Sequence, residues 1–320
     1  MRDGVAALPG VVAAELGPVP AVEWPTLALA VAIYLGWAGF TLYHADLPGW
    51  LLFPALVWIV AWHGSLQHEV LHGHPTRLRR LNDALGVPPL ALWLPYAIYR
   101  RSHLRHHVDA RLTDPLDDPE SFYWTPELWA PLSRAGKLVV RAQTTLLGRL
   151  LLGPAWSIGR FYYFQARAVW HGAGNSRRLW ARHALAVAAV LAWLVGVCRF
   201  DPLLYLIGVV YPATALQLIR SFAEHRAVPA VRERSAIVEN APVFGLLFLF
   251  NNLHAVHHAF PRLPWYRIPR LYRRHRAALV GGNGGLLYNG YADLAWRYLV
   301  RPHDTVMHPL ERPAPETVTA

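Results

Sequence analysis

The chemistry of this 320-residue chain begins at His68-Glu69-Val70-Leu71-His72, which reads H-E-x-x-H. That pattern sets two imidazoles one helical turn apart, where they can hold a zinc ion with the glutamate as general base. Read alone, it predicts a zinc protease. The other histidines change the reading. His103-Leu104-Arg105-His106-His107 and His254-Ala255-Val256-His257-His258 each read H-x-x-H-H, and His225 stands in Ser221-Phe222-Ala223-Glu224-His225-Arg226. Positions i, i+3 and i+4 share a helix face, so each H-x-x-H-H is expected to aim three imidazoles at one point, with two more from His68 and His72. Nine neutral nitrogens exceed the roughly four to six that one ion takes, and suit two ions with a coordination position left open.

Other groups are candidates to support these nine. Metal-bound imidazoles commonly donate their outer N–H to a carboxylate. The acidic run Asp109, Asp114, Asp117, Asp118 and Glu120 directly follows the second histidine cluster, and Glu69 and Glu224 lie beside histidines of the set. Each could equally be a solvated loop charge. His74 falls two residues past His72 and just before the helix-breaking Pro75, so it is grouped with these outer candidates. His44, His63, His171, His183, His275, His303 and His308 stand singly and are read as surface or hydrogen-bonded core residues.

The elements that must position these residues are membrane spans. Hydrophobic residues make up 54% of the chain, charged residues only 16%, and fourteen are tryptophan, which places the chain outside the ordinary soluble range. Uncharged runs extend from Thr26 to Tyr43, Trp50 to Leu66, Ala184 to Val197 and Leu203 to Ile219, each suited to crossing the hydrocarbon layer. Short turns join the first to the second and the third to the fourth. Sixteen Lys or Arg lie in residues 67–182 and thirteen follow Ile219, whereas the two connecting turns hold only Arg199. The positive-inside rule then puts both termini, the middle segment and all four histidine clusters in the cytoplasm. The net charge of +11 is explained by such loops facing anionic lipid, and nucleic acid is not expected as a partner.

The expected fold is an all-α membrane protein, with four transmembrane helices in two hairpins and a cytosolic helical cap carrying a His-rich di-metal site. Residues 1–23 are expected to be a flexible cytosolic lead-in, 24–305 a single integral-membrane domain, and 306–320 a disordered tail. Ala84 to Tyr99 and Ala241 to Leu253 are apolar but short, and are expected to lie against the bilayer as interfacial or re-entrant pieces. Residues 134–170, with Arg134, Lys137, Arg141, Arg149, Arg160 and Arg167 among apolar residues, predict amphipathic helices on the membrane surface. Arg77, Arg79, Arg80, Arg100 and Arg101 could hold an anionic group, though a basic membrane-facing surface explains them equally well. The single cysteine, Cys198, excludes an intramolecular disulfide framework and any cysteine-ligated cluster.

Four spans with the boxes H-x-x-x-H, H-x-x-H-H and H-x-x-H-H resemble the membrane-bound fatty acid desaturase superfamily. The stretches His103 to Ser121 and Asn252 to Arg270 resemble its bacterial members, and the likeness covers roughly residues 25–305. It implies that His68, His72, His103, His106, His107, His225, His254, His257 and His258 hold two irons (Fe2+/Fe3+), with O2 as co-substrate. It implies an oxidoreductase of the bacterial inner membrane that introduces a C=C bond into a fatty acyl chain or lipid-like substrate. A hydroxylase of a lipid or small amino-acid-derived substrate on the same scaffold is the alternative. The sequence contains no heme-binding H-P-G-G, so a separate electron donor, ferredoxin-like or cytochrome b5-like, is expected. The zinc-protease reading needs a further acidic ligand from a later span, and neither later span contains one.

Overall fold

The computed structural model describes residues 17–310, which are mostly helical. Helix α1 (Trp24–Leu42) and helix α2 (Gly49–Leu71) are joined by a short turn. Helix α3 (Tyr96–His106) follows, then α4 (Leu146–Trp170), α5 (Ser176–Val197) and α6 (Pro202–Glu224). Near the C-terminus come α7 (His254–Ala259) and α8 (Ile268–Gly282). A two-stranded parallel sheet pairs β1 (Ile237–Val238) with β2 (Leu287–Tyr288).

Helices α1, α2, α5 and α6 are long and apolar enough to cross a membrane, and they contain the four expected spans. Each of α2 and α6 runs beyond the uncharged stretch: the last turn of α2 carries His68 with His72 just past it, and α6 ends at Glu224, directly before His225. Ala84 to Tyr99 and Ala241 to Leu253 form no helix of membrane length: only Pro242–Leu247 is helical in the second, and the first is broken around its prolines. Both are tied into the interior, with Leu90 and Leu247 buried.

A single apolar core holds the long helices together, including Ile33 of α1, Leu56 of α2 and Val209 and Val210 of α6. Polar ties cross it where backbone carbonyls would otherwise go unmet. The Trp37 indole donates to the Tyr205 hydroxyl (2.9 Å), which donates in turn to the Leu90 carbonyl (2.8 Å), fastening the proline-rich segment to α1 and α6. Gln217 of α6 donates to the Ser65 hydroxyl (3.2 Å) and the Ala61 carbonyl of α2. A Cβ at Gly64 would sit 3.1 Å from the Gln217 amide nitrogen, so a small residue there lets α2 and α6 approach. A second cluster, with Ile237, Leu253, Val256, Ile268 and Leu271, seats α7 against β1 and α8.

Glu23, the last residue of the expected lead-in, is only 3% exposed, because its carboxylate meets His74 and its N–H donates to the Pro75 carbonyl. Val306 and His308, placed in the tail, pair with the backbone of Trp124. Residues 1–16 and 311–320 of those two segments lie outside the described residues.

The entry to α4 offers a stability test. Thr145 caps the helix by accepting from the Gly148 N–H (3.1 Å), and a Cβ at Gly148 would lie 2.0 Å from the Ala142 carbonyl oxygen. Backbone cannot yield as a flexible side chain does. Gly148→Ala is expected to cost about 1–3 kcal/mol, read as a lowered thermal midpoint in detergent, and an unchanged midpoint would mean the turn is looser than described.

Candidate metal centre

The nine histidines converge on two adjoining groups. His68, His72, His103, His107 and His257 form one, and His106, His225, His254 and His258 the other; within each, the candidate ligand atoms lie within 4.8 Å of one another. The expectation that each H-x-x-H-H would aim all three imidazoles at one point is therefore corrected. Both boxes are divided: α3 gives His103 and His107 to the first group and His106 to the second, while α7 gives His257 to the first and His254 and His258 to the second. The reason is helical geometry. Successive residues turn by about 100°, so positions i+3 and i+4 flank position i on opposite sides, and a box laid across two sites serves both.

Outer partners fix which nitrogen of each ring carries a proton. His103 Nδ1–H donates to Glu120 (2.8 Å) and His106 Nδ1–H to Asp118 (2.8 Å). His225 Nδ1–H donates to the Arg234 carbonyl (3.2 Å), and His254 Nδ1–H to the Asn251 side-chain oxygen (3.0 Å), with a Glu224 oxygen 3.2 Å away. In these four rings the proton sits on the outer nitrogen, which leaves Nε2 as a bare lone pair. Yet Nε2 of His225 lies 3.0 Å from that of His106 and 2.9 Å from that of His254. Three lone pairs facing one another require a positive charge among them.

Without an ion, that charge is a second proton on His106. Burial opposes it, but Glu120 and Asp118 push the group up to about 9. A metal cation meets the same demand better, since it engages every lone pair at once. Imidazole–metal bonds of about 2.1 Å place ligands at right angles about 3.0 Å apart, matching the 2.9–3.1 Å between Nε2 atoms in both groups. Burial also holds His72, His103, His107 and His257 below the usual histidine range, in the neutral form that ligation needs. The residues present fit a two-metal site.

The outer candidates divide. Asp118, Glu120 and Glu224 contact the histidines as expected. Glu69 and His74 do not: the Glu69 carboxylate accepts from the Trp265 N–H (2.9 Å) and lies 3.9 Å from His74 Nε2, while His74 Nδ1 pairs with Glu23 at 2.6 Å. These three form a separate buried group, because Gly73, at φ 107°, turns the chain away after α2. So directed, Glu69 is not placed to act as general base beside His68 and His72. Asp114 caps the following turn through the Leu116 and Asp117 N–H groups, and the Asp109 side chain lies outside the described residues. The sequence reading missed Asn251, which touches both groups, its amide nitrogen lying 3.3 Å from His68 Nε2. Its position three residues before His254 was the only available signal.

Beside the second group opens a cavity of about 650 Å3 whose wall includes Glu120, Glu224, His225, Trp93, Phe161 and Arg149. Its far side reaches His303, which bonds the Tyr288 hydroxyl at 2.7 Å. Burial pulls His303 down to about 4, with Arg226 and Arg149 acting in the same direction against Asp304. The unfolded chain therefore binds a proton that the folded one does not between about pH 6.5 and 4. Stability is fully present above that window and is lost as pH falls through it, by on the order of a few kcal/mol. The thermal midpoint is expected to fall across this interval, less steeply in His303→Gln; equal slopes would remove His303 as the cause.

Long apolar helices that bring nine histidines into two adjoining groups able to hold metal define the class: an integral membrane protein with a histidine-rich candidate metal site. The family model described as fatty acid desaturase matches residues 45–290, and the chain belongs to that family. It is accordingly an oxidoreductase and an integral membrane protein, with a lipid as the class of molecule it acts on. No curated protein matches the chain.

Proposed function

We propose that the nine histidines hold two irons, and that the protein is an O2-dependent desaturase introducing a C=C bond into a fatty acyl chain or lipid-like substrate held in the adjoining cavity. One observation carries the reading: imidazoles whose outer nitrogens are spent on Asp118, Glu120, Asn251 and the Arg234 carbonyl turn bare inner nitrogens toward one another about 3 Å apart. When bound, two irons would supply the O2 reduction needed to break an unactivated C–H bond, which no side-chain acid or base can do. The chain's own part is to hold the ligand rings, line a largely apolar cavity, and seat the acyl carbon beside His225. A ferredoxin-like or cytochrome b5-like electron donor belongs to this reading, because reducing O2 at such a centre requires electrons from outside the substrate. The arginine distribution supports an orientation in two hairpins with the histidine face cytoplasmic.

Metal analysis of the purified chain tests the centre, with two irons expected and a single stoichiometric zinc overturning it. Mass spectrometry of the reduced, aerated reaction tests the outcome on carbon. Loss of two hydrogens supports desaturation, and gain of one oxygen replaces it with hydroxylation.

A further inference from the structure

Helix α4, within the stretch expected to form amphipathic helices on the membrane surface, turns Arg149, Trp156, Arg160 and Phe164 toward the cavity, at helical spacing. Arg149 is 5% exposed. Its Nε donates to the Gln143 carbonyl (3.1 Å), and its guanidinium carbon lies 3.7 Å from the centre of the Phe122 ring. Its Nη1 is buried with no hydrogen-bond partner among the described residues. Burial lowers its pKa to about 9, so the group stays protonated at neutral pH.

The acidic groups of the cavity are engaged elsewhere. Asp118 and Glu120 receive His106 and His103. Glu224 lies 2.9 Å from Arg220, and Asp304 accepts from Tyr123 and lies 3.7 Å from Arg226. What is left is a full positive charge against the rings of Phe122 and, at 5.7 Å, Phe222, at the wall of a largely apolar cavity. A buried cation without a counter-charge is costly, and a donor left unmet adds to that cost. Stacking on Phe122 leaves the edge of the guanidinium as its donor surface, the edge that matches an oxyanion.

We propose that the cavity takes a lipid-like substrate ending in a compact oxyanion, a carboxylate or a phosphate monoester, whose charge pairs with the Arg149 guanidinium. This deepens the desaturase reading and rests on it for the word substrate. The apolar chain then lies in the rest of the cavity, which Trp93, Phe161 and His225 also line, so the anchored head sets which carbon reaches the histidines.

Binding of octadecanoate, octadecyl phosphate and octadecanol to the full chain in neutral detergent, followed calorimetrically, tests this. At least one anion is expected to bind about ten-fold or more tightly than the alcohol, in line with a charge-assisted hydrogen bond. The preference is expected to vanish in Arg149→Met and to persist in part in Arg149→Lys. Preference for octadecanoate alone assigns a carboxylate, and for octadecyl phosphate alone a phosphate. Equal binding of all three ligands to the unaltered chain would overturn the proposal, as would survival of the preference in Arg149→Met. If Arg149→Met does not remain monodisperse, the comparison on the unaltered chain decides. The measurement needs neither turnover nor iron, so a chain that fails metal analysis can still show the preference, and the two readings fail separately.

Discussion

His103→Ala and His106→Ala, three residues apart on one helix, are expected to empty different metal positions. His103 belongs with His68, His72, His107 and His257, and His106 with His225, His254 and His258. Each variant should lower iron from two toward one per chain and reduce turnover to below about 1%, a larger effect than the 10–100-fold typical of outer partners. His107→Ala should match His103→Ala in the environment of its remaining iron, and His254→Ala should match His106→Ala, which Mössbauer or X-ray absorption spectra can resolve. Four indistinguishable spectra would contradict the division of the boxes.

The second large effect concerns the acids that orient the rings. Asp118 does two jobs, since it accepts from His106 Nδ1–H and also from the Thr113 and Glu120 N–H groups, which knots the loop beneath α3. Asp118→Asn preserves the shape and removes the charge that favours the Nδ1–H form. It is expected to weaken metal affinity about 10–100-fold, and Glu120→Gln about as much. Asp117→Asn is the contrast: Asp117 contacts Arg105 at 3.2 Å and Arg111 at 3.6 Å near the surface, where pairs contribute about 0–1 kcal/mol. Its metal affinity should stay close to that of the unaltered chain. Chelator competition ranks the three, and an Asp117→Asn loss equal to that of Asp118→Asn would refute the assignment.

What the sequence revealed follows from which forces are local. Lipid demands unbroken apolar runs, so the four spans were legible within a few residues of their cores. Helical spacing made the histidines legible as ligands. It did not say how they divide, because i+3 and i+4 are compatible with one shared site or with two straddled ones. Asp114, Asp118 and Glu120 look alike in a loop, and only the fold decides which of them faces a ring. Glu23 could not be recognised, since its partner His74 is distant in sequence and no periodicity links them. Arg149 was not singled out for a related reason: its place on an amphipathic helix does not say which way it faces, and only the packing of α4 against α6 and the Phe122 segment turns it inward.

The chain's one cysteine, Cys198, is buried and can form no internal disulfide. The divided histidine boxes bear on that. Ligands from α2, α3, the end of α6 and α7 meet at one place, so bound ions would act as cross-links closing loops of very different length, including the long one between His107 and His225. Closure entropy grows only slowly with loop length, so the longest loop adds little more to overcome than the shortest. Because α3 and α7 each serve both ions, releasing one loosens the ties that hold the other, so a chelator should take the second iron more readily than the first, and its loss should also loosen the packing of α7 on α8.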